Sequence, residues 1–263
     1  MWSPARMDQE ALRAAFDEQM RRNPEPEPDG RVEHDDWVTR SMSARDGWNG
    51  VTWCDLRGVD ADAVIAEQVS RFAQQARPWE WKHYSYDEPQ DLPDRLLAAG
   101  FTREPAESLL VAEIADLGLD VPPPPGVELR EVVDAAGVEA VVSVHDEVFG
   151  GDHSALGRNL LAGLALEPST AAAVVAVAAD VPIAAGRVEL PPGTDFASLW
   201  GGGTVAAWRG RGTFRSLVAH RAAIASARGY RYLQVDAMPA SRPILQRLGF
   251  VELATTTPFT YPG

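Results

Sequence analysis

Apolar residues in DADAVIAEQVSRFAQQA (60–76) recur at helical spacing, with Val64, Ile65, Val69, Phe72 and Ala73 on one face behind a capping Asp60. The same period predicts helices over Asp8 to Arg22, 91–100, 135–149 behind Asp134, 153–166, 214–229 and 241–249. Other stretches alternate, or are apolar and rich in β-branched residues, as strands are. Early in the chain these are GVTWCDL, WEWKHYSY and ESLLVAEI. Later come VELREVV, AAAVVAVAA, IAAGRVEL, FASLWGGGTV, YRYLQVDA and FVELATTTPF. Short Pro/Gly turns join 171–179, 183–190 and 196–205, which predicts an antiparallel meander.

The order of elements repeats. Strand, helix, strand, helix, strand runs through 50–114 and again through 196–259. The short helices in DLPDRLLAAGF (91–101) and SRPILQRLGF (241–250) both run into Gly-Phe. Between the halves stands VPPPPG (121–126), whose prolines continue neither a helix nor a central strand and form a stiff connector. These features predict two copies of one design: a domain over 1–120, a Pro-rich linker over 121–126 and a second domain over 127–263. The expected class is α/β of the α+β type, each domain a mixed, mostly antiparallel sheet flanked by helices.

Composition changes this picture only in part. At 263 residues, 45% hydrophobic and 24% charged, the chain suits two ordinary globular domains. Its net charge of -14 is uneven, with 25 acidic and 13 basic side chains in 1–120 against 13 and 11 in 121–263. A field of this sign disfavours nucleic acid and anionic lipid, and it favours cationic partners such as amines. Cys54 is the single cysteine, so neither an internal disulfide nor a multi-cysteine metal site is expected. The opening MWSPARMDQEALRAAF lacks a signal peptide's apolar core, and AAAVVAVAA is too short to cross a bilayer. The expectation is a cytoplasmic protein, monomer or homodimer, without a metal or membrane association.

The stretch WRGRGTFRSLVAHRA (208–222) carries the chemistry. A turn between the strand FASLWGGGTV and the helix 214–229 leaves the helix's first N–H groups without internal partners. They point outward where the macrodipole is positive, so that end suits an anion. Gly210 and Gly212 let a phosphate approach the main chain, and Arg209 and Arg211 add charge at the rim. No Gly-Lys-Ser/Thr follows, so this is no nucleotide P-loop. The preceding meander is antiparallel, so it is no dinucleotide unit either.

Residues 127–258 resemble the GNAT superfamily of N-acetyltransferases. The family's pattern is Arg/Gln-x-x-Gly-x-Gly/Ala between a strand and a helix, then a strand and a short helix ending Leu-Gly-Phe. Arg209, Gly212 and the run RLGF (247–250) match in order and spacing, while Phe214 stands where Gly or Ala is usual. The first half resembles the later part of the same fold, but RGVDAD (57–62) has no second glycine, so it reads as a degenerate copy without a cradle.

The resemblance implies acetyl-CoA as co-substrate, its diphosphate on 209–214 (Arg209, Gly210, Arg211, Gly212, Thr213, Phe214). It also implies a pantetheine arm between strands that splay near Gly201–Val205 and Leu233–Ala237. Main-chain N–H groups of Gly203, Thr204 and Val205 would polarise the thioester, and the triple glycine 201–203 suits a bulge. The reaction implied is acetyl transfer to a primary amine of a small molecule or peptide, by direct attack. An ammonium must first lose its proton; Glu189 is the leading base, with Asp236 and the group His145, Asp146 and Glu147 as alternatives. His145 and His153 are of a type that titrates near neutrality. Leu245 and Met238 occupy the positions of the family's usual Tyr and Asn, so the thiolate's proton donor is unassigned, with Tyr232 and Ser241 as substitutes. A non-catalytic acyl-CoA-binding or regulatory protein on the same fold is the alternative function.

Overall fold

A computed structural model of the chain describes residues 8–27, 29–43 and 47–263; the first seven residues of the N-terminal stretch discussed above lie outside these. The chain divides into two compact units, Met1–Leu109 with Glu252–Gly263, and Leu110–Val251.

The first unit opens with α1 (Gln9–Phe16), capped by the Asp8 carboxylate and continued by wider π-type turns over Asp17–Arg22. A hairpin follows, β1 (Gly30–His34) and β2 (Val38–Ser43). It went unread in the sequence because its turn contains no glycine: Asp35 Oδ1 accepts from the N–H groups of Trp37 and Val38 instead. Next come β3 (Gly50–Cys54), α2 (Ala61–Ala73), β4 (Trp79–Tyr84), α3 (Leu92–Ala98), β5 (Thr102–Arg103) and β6 (Glu107–Glu113). Strand β3 lies antiparallel to β2 and parallel to β4. The apolar face of α2 read from the sequence (Val64, Ile65, Phe72) packs with Trp79, Trp81, Leu92, Leu96, Phe101 and Phe259 into one core. Phe72 stacks on Trp79 at 4.1 Å between ring centres.

The second unit contains β7 (Val127–Glu131), α4 (Ala135–Phe149), α5 (Ser154–Leu164), β8 (Ala171–Ala178), β9 (Val181–Glu189), β10 (Phe196–Thr204), α6 (Thr213–Ala227), β11 (Tyr232–Ala237) and α7 (Arg242–Leu248); β12 (Val251–Tyr261) closes the chain. Strands β8 to β10 are the antiparallel meander foreseen, β7 adds to it antiparallel beside β8, and β11 lies parallel to β10. Strand β8 is buried on both faces. Ala171, Ala173, Val175 and Val177 meet α4 and α5, whereas Ala172, Val174, Ala176 and Ala178 turn to the side of α6. That is why it reads as a continuous apolar run rather than an alternation.

The unit boundaries differ from those expected at 121–126. The proline stretch is an internal connector of the second unit. The chain leaves the first unit inside β6, whose Leu110 and Ala112 join the second core, and β12 returns to pair with β4 and β5. Each unit thus takes strand residues that follow the other's short helix. Pairing partners far apart in sequence decide this, and no local signal marks it. Among the described residues no helix is long and apolar enough to cross a membrane, and no cluster of three metal-binding side chains occurs.

Candidate functional site: the β10–α6 turn and the fork beside it

The triple glycine is a bulge, as its composition suggested. Trp200 pairs with Arg187 and Gly203 with Ala185, so two residues of β10 face one of β9. Gly201 takes a left-handed conformation (φ 58°), which a side chain would strain. Its carbonyl accepts a 2.8 Å hydrogen bond from His145 Nε2 on α4. Burial pushes the His145 imidazole down to about 4, so it is neutral near pH 7. This corrects the expectation of a group titrating near neutrality, because the ring is packed against the bulge. From the other side of the sheet, Phe214 and Arg221 approach Gly202, where an added Cβ would stand 2.9 Å from the Phe214 ring.

Beyond the bulge a short 3-10 turn (Ala206–Trp208) leads into the glycines. Arg209 does not extend into solvent as a rim charge. Its Nε donates to Thr204 O at 2.9 Å, tying the turn to the end of β10. The Arg211 guanidinium lies over the Trp208 ring at 4.7 Å. Gly212 caps α6 with φ 95°, a left-handed residue with no side-chain cap. The main-chain N–H groups of 210 to 215 have no hydrogen-bond partner among the described residues, and the space above Gly210 and Gly212 is open for at least 4 Å. Phe214 does not obstruct them, since its ring packs down on Gly202 and the core. The departure from the usual small residue is therefore absorbed beneath the turn.

The strands on either side of this turn part company. Strand β10 pairs with β11 at Phe196–Tyr232, Ala197–Leu233 and Ser198–Gln234, and no farther. Gln234 Nε2 donates to Ser198 Oγ at 2.6 Å in the crotch of the fork. The opening begins two residues later on β11 than expected, because Leu233 and Gln234 are still paired with β10. Val205 N–H donates to Ile183 O on β9, so it is not available to an acyl oxygen, contrary to the expectation for that residue. Antiparallel alternation then turns the N–H of Thr204 away from β9 toward the fork, and that of Gly203 back to β9.

The proposed proton carriers scatter. Glu189 sits opposite Ser198 in register, half-exposed, and accepts from Arg187 Nε at 3.3 Å. Asp236 lies on β11 beyond the end of its pairing with β10, half-buried. Asp146 accepts from both the backbone N–H and Nδ1 of His153 at 2.9 Å, a structural latch ahead of α5, and Glu147 is exposed. Tyr232 stacks on Phe196 at the closed end of the fork, which removes it as a proton donor to a leaving thiolate there. Ser241 Oγ donates to Met238 O, and Leu245 is buried in the core. Sequence reading missed Arg221, a buried cation beneath the bulge. Its signal was present, since it falls at helical spacing on the apolar stripe of Phe214, Leu217, Val218 and Ala225.

Comparison with known proteins fits this geometry. A GCN5-related N-acetyltransferase from Kribbella flavida superposes with a TM-score of 0.69 at 20% identity, covering 98% of this chain and 97% of that one. The chain has the GNAT fold. A functionally unknown conserved protein from Staphylococcus epidermidis matches at TM-score 0.65 and 13% identity, covering 94% and 97%. A tandem GNAT protein from the clavulanic acid biosynthesis pathway matches at 0.59 and 14%, covering 90% and 84%. Neither a protein-family profile nor a curated protein matches the chain. In GNAT terms the bulged β10, the open turn and α6 are the elements that the sequence resemblance pointed to, and both units repeat the strand–helix–strand pattern.

Proposed function

We propose that the chain is an acetyl-CoA-dependent N-acetyltransferase whose second unit binds the co-substrate and acetylates a primary amine. The observation that carries this reading is the run of unpartnered amides at 210–215, open to solvent beside an unpaired fork. Amides so directed, at the positive end of a helix, suit a diphosphate, and the fork suits an extended pantetheine lying along Thr204. The acetyl carbonyl then lies beside the bulge, where the amide of Thr204 faces it. Charge developing on that oxygen is stabilised by about 3 kcal/mol per well-placed donor.

The amine gives its proton to a carboxylate, Glu189 in the first instance and Asp236 in the second. Its nitrogen forms a bond to the carbonyl carbon, the C–S bond breaks, and the sulfur leaves as thiolate. Glu189 shares the face of β9 that carries Arg187, beside the bulge. No side chain of the usual kind stands ready to protonate the thiolate, so water is the proton source.

Buried Leu245 favours a second reading, a protein that binds acyl-CoA without turning it over. Two measurements separate the readings. Acetyl-CoA far above its dissociation constant should raise the unfolding free energy by a few kcal/mol. Release of free thiol in the presence of a panel of amines should follow. Stabilisation without thiol release leaves the binding protein, and no stabilisation at all overturns both.

A further inference from the structure

We propose that Arg221 is a positioning residue for acyl transfer: it pins the β10 bulge from beneath and keeps an uncompensated positive charge beside Gly202. The inference rests on the acyltransferase reading above. Arg221 lies on α6, 1% exposed. Its Nε donates to Leu217 O at 3.1 Å, and its Nη1 donates to Arg187 O at 2.9 Å and Trp200 O at 3.3 Å. Both of these last carbonyls belong to the register break that forms the bulge. His145 holds the Gly201 carbonyl from the opposite face, so the bulge is fixed from two sides.

Room for this guanidinium is made by glycine. A Cβ on Gly186 would stand 2.6 Å from Nη1, and one on Gly202 would stand 3.3 Å from Nη2. Among the described residues no carboxylate lies within ion-pair distance of Arg221. A buried cation compensated only by carbonyl dipoles is a large desolvation penalty, and a methionine would fill the same space without it. The other charge acting on it is Arg187, a second cation, which itself engages Glu189. A positive charge therefore stands under the strand whose Thr204 amide faces the thioester, where an oxyanion would develop. In a water-poor site such a fixed charge acts strongly, and it needs no rearrangement during the reaction.

The test uses the full chain with Arg221→Met and Arg221→Lys. Neither touches the open turn, so acetyl-CoA should bind within about threefold of wild type. The readout that a merely structural role would not move is the infrared stretch of an isotope-labelled thioester carbonyl. In wild type it should fall in frequency on binding. In Arg221→Met at least half of that shift should disappear, and less should be lost in Arg221→Lys, which keeps the charge but not the fork of hydrogen bonds. Turnover should fall by about 100-fold in the Met variant, as misplacement of a reacting group by an ångström can do. An unchanged carbonyl shift in either variant that folds and binds acetyl-CoA normally overturns the proposal. Failure of the wild-type protein to bind acetyl-CoA overturns the acyltransferase reading instead.

Discussion

The two units build the same turn and fill it differently. In the second, α6 starts at Gly212 with no cap and an open space above it. In the first, α2 starts at Asp60, whose carboxylate accepts from Ala63 N–H; the preceding Arg57 is folded back on Asp55 at 2.6 and 2.8 Å. An internal anion thus already occupies the positive end of α2. The forks differ in the same sense. Strand β3 pairs with β4 at Gly50–Glu80 and Val51–Trp81 only. Past that point Arg21 Nε donates to Thr52 O, its Nη2 bonds both oxygens of Asp87 at 2.8 and 3.0 Å, and Asp87 Oδ2 accepts from Tyr84 N–H. A buried ion pair bridges the opening. Each unit has a bulge carbonyl served by a buried arginine, Thr52 by Arg21 and Trp200 by Arg221, but only Arg21 has carboxylates beside it. Degeneracy here is not decay into disorder. The first unit has neutralised from within the helix start and the fork that the second leaves open.

The largest effect expected on breaking this contrast is in stability. Asp87→Ala leaves Arg21 with Asp17, the Tyr86 hydroxyl and the Thr52 carbonyl, in a site where Tyr84 covers the guanidinium at 3.8 Å. Removing one partner of a buried pair typically costs about 3–5 kcal/mol, and chemical denaturation should show that loss. Affinity for acetyl-CoA should not change, because the proposed site lies in the other unit. Weakened binding in a folded Asp87→Ala protein would mean that the bridged fork takes part in it.

Next comes Gly212→Asp, which gives α6 the cap that α2 already has. The carboxylate should satisfy the N–H groups meant for a phosphate and repel it as well. A loss of about 3 kcal/mol, or about a hundredfold in dissociation constant by calorimetry, is expected. The left-handed φ of 95° makes the substitution cost about 1–2 kcal/mol in folding, so the protein stays folded. Unaltered affinity would remove the turn from the binding site.

Much of this contrast was legible in the sequence, and the rest was hidden for physical reasons. The glycine-rich turn, the meander and the missing second glycine at 57–62 are local, and local chemistry reads locally. The exchange of β12 and the end of β6 between units is decided by register across most of the chain, and four prolines at 121–126 drew attention to the wrong place. His145 looked like a titrating group because sequence gives its type but not its packing. Val205 looked like an oxyanion donor because strand membership alone does not say which way an N–H points. Both were settled by single hydrogen bonds, to Gly201 O and Ile183 O.

The smallest expected effect is the most discriminating. Asp60→Gly removes the internal anion from the first unit and recreates there the bare helix start seen at Gly212. An aspartate cap replaced by glycine costs only a few tenths of a kcal/mol, so thermal unfolding should barely move. If a bare helix start were sufficient, the variant would bind a second acetyl-CoA per chain, and the calorimetric stoichiometry would rise from one toward two. It should stay at one. The Arg21–Asp87 bridge still spans the fork, and the turn 55–60 has one open glycine, Gly58, where the second unit has two, with Arg57 held by Asp55. On the proposed reading an anion site at a helix end is necessary but not sufficient, and the unbridged fork beside it would select a phosphate that carries a long arm.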